Sequence, residues 1–342
     1  MSAERKERES AFELLRLIAM SLIVLLHVYL LELRWERLTP LNTAIVIPFH
    51  MGVPLFILIS GYFGIKVSGR GLAHIVGQML VYTIPLLLIY KCLFSSGGGI
   101  RDFFFISNSP YWFMKTYLCL YLFSPVVNHY LEHATEHRRL YLLLSLTFMS
   151  VYMQTMLRGE YDWYKGRDLT NFILLYVWGD TLRVYKHVWA ATSMRYFVSA
   201  FLLLNVFLIV LGCHVDLLSN TLFLSSIQNS GAITIVNASL LFVIVAKCPF
   251  KSKVVNWLAA SSLAIYLIHI SDFAFRYIRM WARSISSLIS NDCVALVVMC
   301  LFTGVVMLAC ILVDKLLTPL WKIFQHSGAK AENAVLTLLN RK

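Results

Sequence analysis

The chain has 342 residues, of which 59% are hydrophobic and only 14% charged, with a formal net charge of +12 and a mean hydropathy of +0.70. A soluble globule carries about a quarter charged residues, and a disordered chain is biased further towards charge, so both classes are disfavoured. The basic residues lie between apolar blocks instead of gathering on one face, which argues against nucleic-acid binding. The composition points to a polytopic membrane protein.

A helical crossing of the hydrocarbon takes about 20 apolar residues. Ten candidate spans follow along the chain, near 12–32, 44–64, 71–93, 112–131, 139–157, 168–185, 195–214, 230–247, 255–275 and 293–318. The fourth is interrupted by Lys115 and Pro125, the sixth by Asp180. No period-two alternation of the barrel type occurs, so the predicted fold class is all-α, a membrane helix bundle with about ten transmembrane helices.

The opening MSAERKERES runs straight into a full-length span with no small-residue cleavage site, and is read as a retained segment, not a cleaved signal. Ten crossings place both termini on one side. That side holds 18 of the 30 Lys and Arg residues and the opposite side ten, which predicts cytoplasmic termini. The expected organisation is a cytoplasmic segment over 1–11, a transmembrane domain over 12–318 and a cytoplasmic tail over 319–342. In that tail, PLWKIFQ and AENAVLTLLNRK read as a short amphipathic surface helix. The loops are short, so chemistry is expected from the bundle itself. SSGGG at 95–99 reads as a flexible outer loop. The seven cysteines contain no CxxC pair and are read as packing residues, with no metal site.

Ionisable groups inside lipid cost several kcal/mol and mark bundle interiors or wet cavities. In the first span, three stand out. Glu13 and Arg16, three apart, can pair on one helix face. Arg16 and His27, eleven apart, share a face at a separation of about 16 Å, the reach of a pantetheine arm between a nucleotide phosphate and a thioester carbon. An arginine fork matches phosphate oxygens, and a histidine deeper in can take a proton from an attacking hydroxyl. On spacing alone a second reading stands beside this one: Arg16 snorkels to the interface and His27 packs in the core.

These residues resemble the first-helix pattern of the acyltransferase-3 family of integral-membrane O-acyltransferases: an acidic residue, two residues, Arg, ten residues, then His. Further motifs follow in family order. GVPLFILISGY at 52–62 is similar to the second-helix signature. YWFMK at 111–115, with Tyr117, Tyr121 and Ser124-Pro125, is similar to the fourth-helix block. NFILLYVWGD at 171–180 with Arg183 resembles the sixth, and LAIYLIH at 263–269 the late YLIH block. The resemblance covers about residues 11–320 and looks closest to the branch acting on capsular or surface polysaccharides. One motif departs: where many members carry RxxR at the start of the third helix, this chain reads KVSGRGLAH at 66–74, with only Arg70 and His74 as stand-ins.

The resemblance implies an enzyme of the bacterial inner membrane that transfers an acyl group, acetyl in the leading reading, from acyl-CoA to a hydroxyl of a surface or capsular polysaccharide or its lipid-linked precursor. Acyl-CoA is then the donor substrate, with no permanently bound cofactor; the bilayer and a glycan acceptor are the partners. His27 is the expected catalytic base, with Glu13 and Arg16 beside it. Arg16, Arg70, Arg183 and Ser60 are the expected donor contacts. Arg70 and Arg183 also sit where the positive-inside rule puts basic residues. Ser60 also reads as a small residue that lets helices approach, and no nucleophile elbow surrounds it. Lys115, Trp112 and His269 are the expected acceptor contacts, read alternatively as a snorkelling lysine, a member of the interfacial aromatic belt and a core histidine. The belt is expected to include Trp35, Tyr111, Tyr161, Trp163, Tyr164 and Trp281; the stretch 158–164 also suits stacking on sugars. The rival reading is a secondary transporter or exporter of a small anion or glycan precursor, against which stand the missing internal repeat and the lack of paired Gly/Pro-broken spans.

Overall fold

The computed structural model describes residues 9–32, 47–94, 109–156, 166–214 and 231–339. Trp35, the 95–99 loop and the 158–164 stretch lie outside the described residues. Among those described, every regular element is a helix. In chain order they are α1 (Ser10–Glu32), α2 (Gly52–Phe63, led in by a 3-10 turn at Ile47–Met51), α3 (Gly69–Phe94), α4 (Trp112–His133) and α5 (Glu136–Met156). Then come α6 (Leu169–Val184), α7 (Lys186–Ala191), α8 (Met194–His214) and α9 (Ala232–Ala246). The last four are α10 (Lys253–Ala259), α11 (Ser262–His269), α12 (Asp272–Ser287) and α13 (Asp292–Leu339).

Among the described residues, four helices are long and apolar enough to cross a membrane: α1 over Ser10–Tyr29, α3, α8 over Met194–Leu211, and α13 over Cys293–Ala334. Lys253–His269 together with α12 adds a fifth if that bent pair counts as one crossing. The chain is therefore an all-helical membrane protein. The other expected spans are helical as well, but Ile47–Phe63, α6 and α9 are short, and α4 and α5 are too polar to pass on composition.

Two segments differ from the sequence reading. The ninth span, expected as one helix over 255–275, is broken into α10, α11 and α12, with a bend of 87° before α12. A serine makes the sharper break: the Ser271 side chain accepts from the backbone N–H of Ala274 and starts α12, as Ser252 accepts from the Val255 N–H and starts α10. The tail is not a separate surface helix either, because α13 continues through Pro319 to Leu339. It continues because α3 covers it. A Cβ on Gly77 would meet the Phe324 side chain, and one on Gly328 would meet Ala73 and the Gly69 backbone. Rising numbers on α3 thus meet falling numbers on α13, and the two run antiparallel.

The chain divides into two compact units, Met1–Gly64 with Thr135–Ser262, and Ile65–Ala134 with Leu263–Lys342. In lipid, helices associate through small residues and interhelical hydrogen bonds, and the first unit uses both. A Cβ on Gly61 of α2 would collide with the Tyr176 carbonyl of α6, and one on Gly179 of α6 with the Leu58 carbonyl of α2. The two backbones touch with no side chain between them. Asn205 of α8 and Asn237 of α9 exchange amide hydrogen bonds of 2.9 Å each way, and the Trp178 indole donates to Ser239 at 2.9 Å. Phe12 stacks on Tyr62 at 5.1 Å and leans on Phe242 at 5.6 Å, which fixes the start of α1 against α2 and α9.

In the second unit, α4 fastens the turn ahead of α3. Ser68 N–H donates to the Tyr121 hydroxyl at 3.0 Å, and the Asn128 amide donates to the Ile65 carbonyl at 2.9 Å. Pro125 inside α4 has no N–H to give the Tyr121 carbonyl four residues back. The Ser124 hydroxyl takes its place at 2.7 Å, the repair that lets proline sit in a membrane helix.

Candidate functional site

The first unit holds Glu13, Arg16, His27, Ser60 and Arg183. Along α1, Phe12, Leu15 and Ala19 turn into the apolar core, which leaves Glu13 and Arg16 on the neighbouring strip. Glu13 is only 4% exposed. A buried carboxylate needs a partner, and Arg16 Nη1 donates to its Oε1 at 2.5 Å. The Arg16 side chain stays 33% exposed, so it is anchored to Glu13 through its guanidinium and only partly covered by protein. His27 is half-buried and lies on the same unbroken helix, about 16 Å further along its axis.

Ser60 is half-buried and donates to the Phe56 carbonyl of its own helix at 3.0 Å. The close packing expected of the ISGY segment falls to its neighbour Gly61. Arg183 belongs to a cluster that the sequence did not reveal. Both Nε, at 3.1 Å, and Nη2 of Arg183 donate to Asp180 Oδ1, while Arg139 Nη1 from α5 donates to Asp180 Oδ2. Asp180 and Arg139 are buried, whereas the Arg183 side chain is 52% exposed. Two guanidiniums on one carboxylate leave a net positive charge that faces outwards through Arg183. An aspartate alone in an apolar run signals such a partner, and Arg183 at i+3 was visible; Arg139, 41 residues away, was not.

The second unit holds Arg70, Lys115, Trp112 and His269. Arg70 is exposed in the first turn of α3, just after the turn that Tyr121 and Asn128 hold. His74, one turn on, lies edge-on to Trp321 at 4.8 Å and so packs against α13. Trp112 and Lys115 are half-buried at the start of α4. His269 is 1% exposed, and its Nδ1 donates to the Ile265 carbonyl at 2.7 Å, which leaves Nε2 as the other ring position.

Tyr266 links His269, one of the acceptor candidates, to the start of α4. Its hydroxyl donates to the Pro110 carbonyl at 3.1 Å, and its ring lies 5.4 Å from Phe113 and 6.0 Å from His269. The late block is thereby joined to the start of the fourth-helix block. A second buried carboxylate escaped the sequence reading: Asp314 of α13 accepts from the Tyr82 hydroxyl of α3 and, at 3.3 Å, from the Trp321 indole.

No curated protein and no solved structure matches the chain. A family model described as an acyltransferase domain matches residues 9–314, and thus runs from the residue before α1 to Asp314. With the first-helix triad, the α2–α6 glycine crossing and the Tyr266 cluster all inside that range, the chain belongs to the acyltransferase-3 family.

Proposed function

We propose that this membrane acyltransferase moves an acyl group, acetyl in the first instance, from coenzyme A to a hydroxyl of a surface or capsular polysaccharide or of its lipid-linked precursor. His27 is the general base. The acceptor oxygen attacks the thioester carbon, a C–O bond forms and the C–S bond breaks. The hydroxyl proton passes to the His27 ring and then to the departing thiolate, so no external reactant is needed. Arg16, oriented by Glu13, holds donor phosphates; Arg70 and Arg183 add positive charge for a polyanionic donor, and Ser60 lines its path. Lys115, Trp112 and His269 contact the acceptor. The protein resides in the bacterial inner membrane with about ten crossings and cytoplasmic termini, which gives the donor vestibule access to cytosolic coenzyme A. The thioester lies uphill of the ester, so the protein's task is positioning and proton transfer.

One observation carries this reading: within the region matched to the family, α1 is a single helix with the Glu13–Arg16 ion pair near its start and His27 further along it. The test uses the purified full chain, acetyl-CoA and a sugar acceptor, with release of the free thiol as readout. His27→Ala is expected to slow release by about 10²–10⁴-fold. Equal release from both proteins removes His27 from its role, and substrate flux into sealed vesicles without thiol release favours the transporter.

A further inference from the structure

The helix α12 is unlike the apolar segments around it. The chain reaches it through Lys253–His269, 17 positions that by themselves span about 25 Å if helical, and then bends by 87°. Its three arginines, Arg276, Arg279 and Arg283, follow at spacings of three and four. They fall within about 60° of one another around the helix, and all three are exposed. Asp272, in the first turn, is the one acid of this helix; it lies on the arginine face one turn before Arg276, so the row keeps a net charge of two. A second face, with Ile278 and Ala282, is buried. Between these two faces lie Trp281, 55% exposed, and Met280, 50% exposed, with Leu288 just beyond at 86%.

Such a helix has one side for protein, one for acyl chains and one for headgroups. Three arginines in 16 residues make it a poor half-span, since each costs several kcal/mol in hydrocarbon. The exposed Trp281 and Met280 make it a poor water-facing helix. Arg276 lies over Phe94 at 4.1 Å and Arg279 over Phe275 at 5.7 Å, cation–π contacts that steady both side chains.

We propose that α12 lies in the plane of the bilayer surface and that Arg276, Arg279 and Arg283 bind the phosphates of anionic phospholipid headgroups. The row supplies the charge complementarity and the forked donors that phosphate oxygens need. Trp281 and Met280 supply the apolar anchor that a free phosphate would not require.

The test purifies the full chain from nanodiscs of equal phosphatidylglycerol and phosphatidylcholine and measures retained lipid by native mass spectrometry. Wild type is expected to retain phosphatidylglycerol preferentially. The preference should fall about fivefold per arginine removed in an Arg276→Gln, Arg279→Gln, Arg283→Gln series, while the corresponding lysine variants keep most of it. Equal retention by wild type and the triple glutamine variant overturns the proposal. Should that variant fold poorly, salt decides on wild type: raising it from about 0.1 to 1 M shortens screening from about 10 to 3 Å and should abolish the preference, and an unchanged preference overturns the proposal. Millimolar glycerol phosphate should not displace the lipid; displacement shows a site for free phosphate and overturns the membrane assignment.

Discussion

Replacing Asp180 by Asn keeps the side chain's volume and removes its charge. In the folded protein that carboxylate, 7% exposed, is shared by Arg139 at 9% and Arg183 at 52%. The three positions therefore differ in what their loss leaves behind. Asp180→Asn removes the counter-charge of the buried Arg139 guanidinium, and breaking a buried ion pair costs about 3–5 kcal/mol. Arg183→Gln removes a half-exposed partner while Arg139 still neutralises the acid, so screening holds its cost to about 1 kcal/mol or less. Arg139→Leu with Asp180→Leu removes the buried pair altogether and is expected near neutral, because an apolar pair in lipid has no desolvation to repay. Equilibrium unfolding of the full chain in mixed micelles, followed by tryptophan fluorescence, ranks the three. If Asp180→Asn unfolds at the same denaturant as Arg183→Gln, or if the double leucine variant is the weakest of all, the buried-charge reasoning is wrong.

Arg16→Lys keeps the charge but loses the fork, so the acetyl-CoA KM is expected to rise roughly tenfold with little change in kcat; a pure kcat effect in steady-state thiol release would contradict donor binding by Arg16. Gly61→Ala puts a methyl into the Tyr176 backbone and should cost at least about 1–3 kcal/mol, whereas Gly304→Ala, inside α13 with open space around it, should hold or slightly raise the melting temperature. Ser124→Ala orphans the Tyr121 carbonyl and should destabilise by about 1–3 kcal/mol. Ser124→Ala combined with Pro125→Ala restores the missing N–H and should recover most of that loss, read as the unfolding midpoint.

How far the sequence could be read follows the range of the interactions. The Glu13–Arg16 pair is an i,i+3 contact on one helix, and apolar length alone places α1, α3 and α8 within a few residues. The breaks around α11 were hidden because a 20-residue average treats Ala260-Ser261 and Ser271-Asp272 as part of a continuous apolar run, although Ser271 is a good N-cap. The length of α13 was hidden for the opposite reason. Pro319 and the polar residues after it look like an ending, and only the glycine-lined face of α3 explains why the helix goes on. Arg139 and Asp180, like Tyr82 and Asp314, are partners 41 and 232 residues apart. A lone acid in an apolar run announces that a partner exists without naming it.

Those carboxylates also divide by what they leave accessible, and the division bears on donor binding. Asp314 is 1% exposed, its donors Tyr82 and Trp321 are buried with it, and the partly exposed Lys315 lies 3.9 Å from its other oxygen, so its hydrogen bonds hold α3 to α13. Glu13 and Asp180 are buried to nearly the same degree, yet each holds an arginine three residues on whose side chain remains one-third to one-half exposed. If charge neutralisation were the purpose, burying both partners would serve it better, as Arg139 does. A guanidinium fixed at one edge and open at another has already lost most of its rotamer freedom, so a second anion meets a pre-oriented fork and less entropy is lost on binding. The same arrangement recurs on α1 and α6. Under the proposed function this arrangement suits a polyanionic donor, with Glu13 and Asp180 as positioning residues for Arg16 and Arg183.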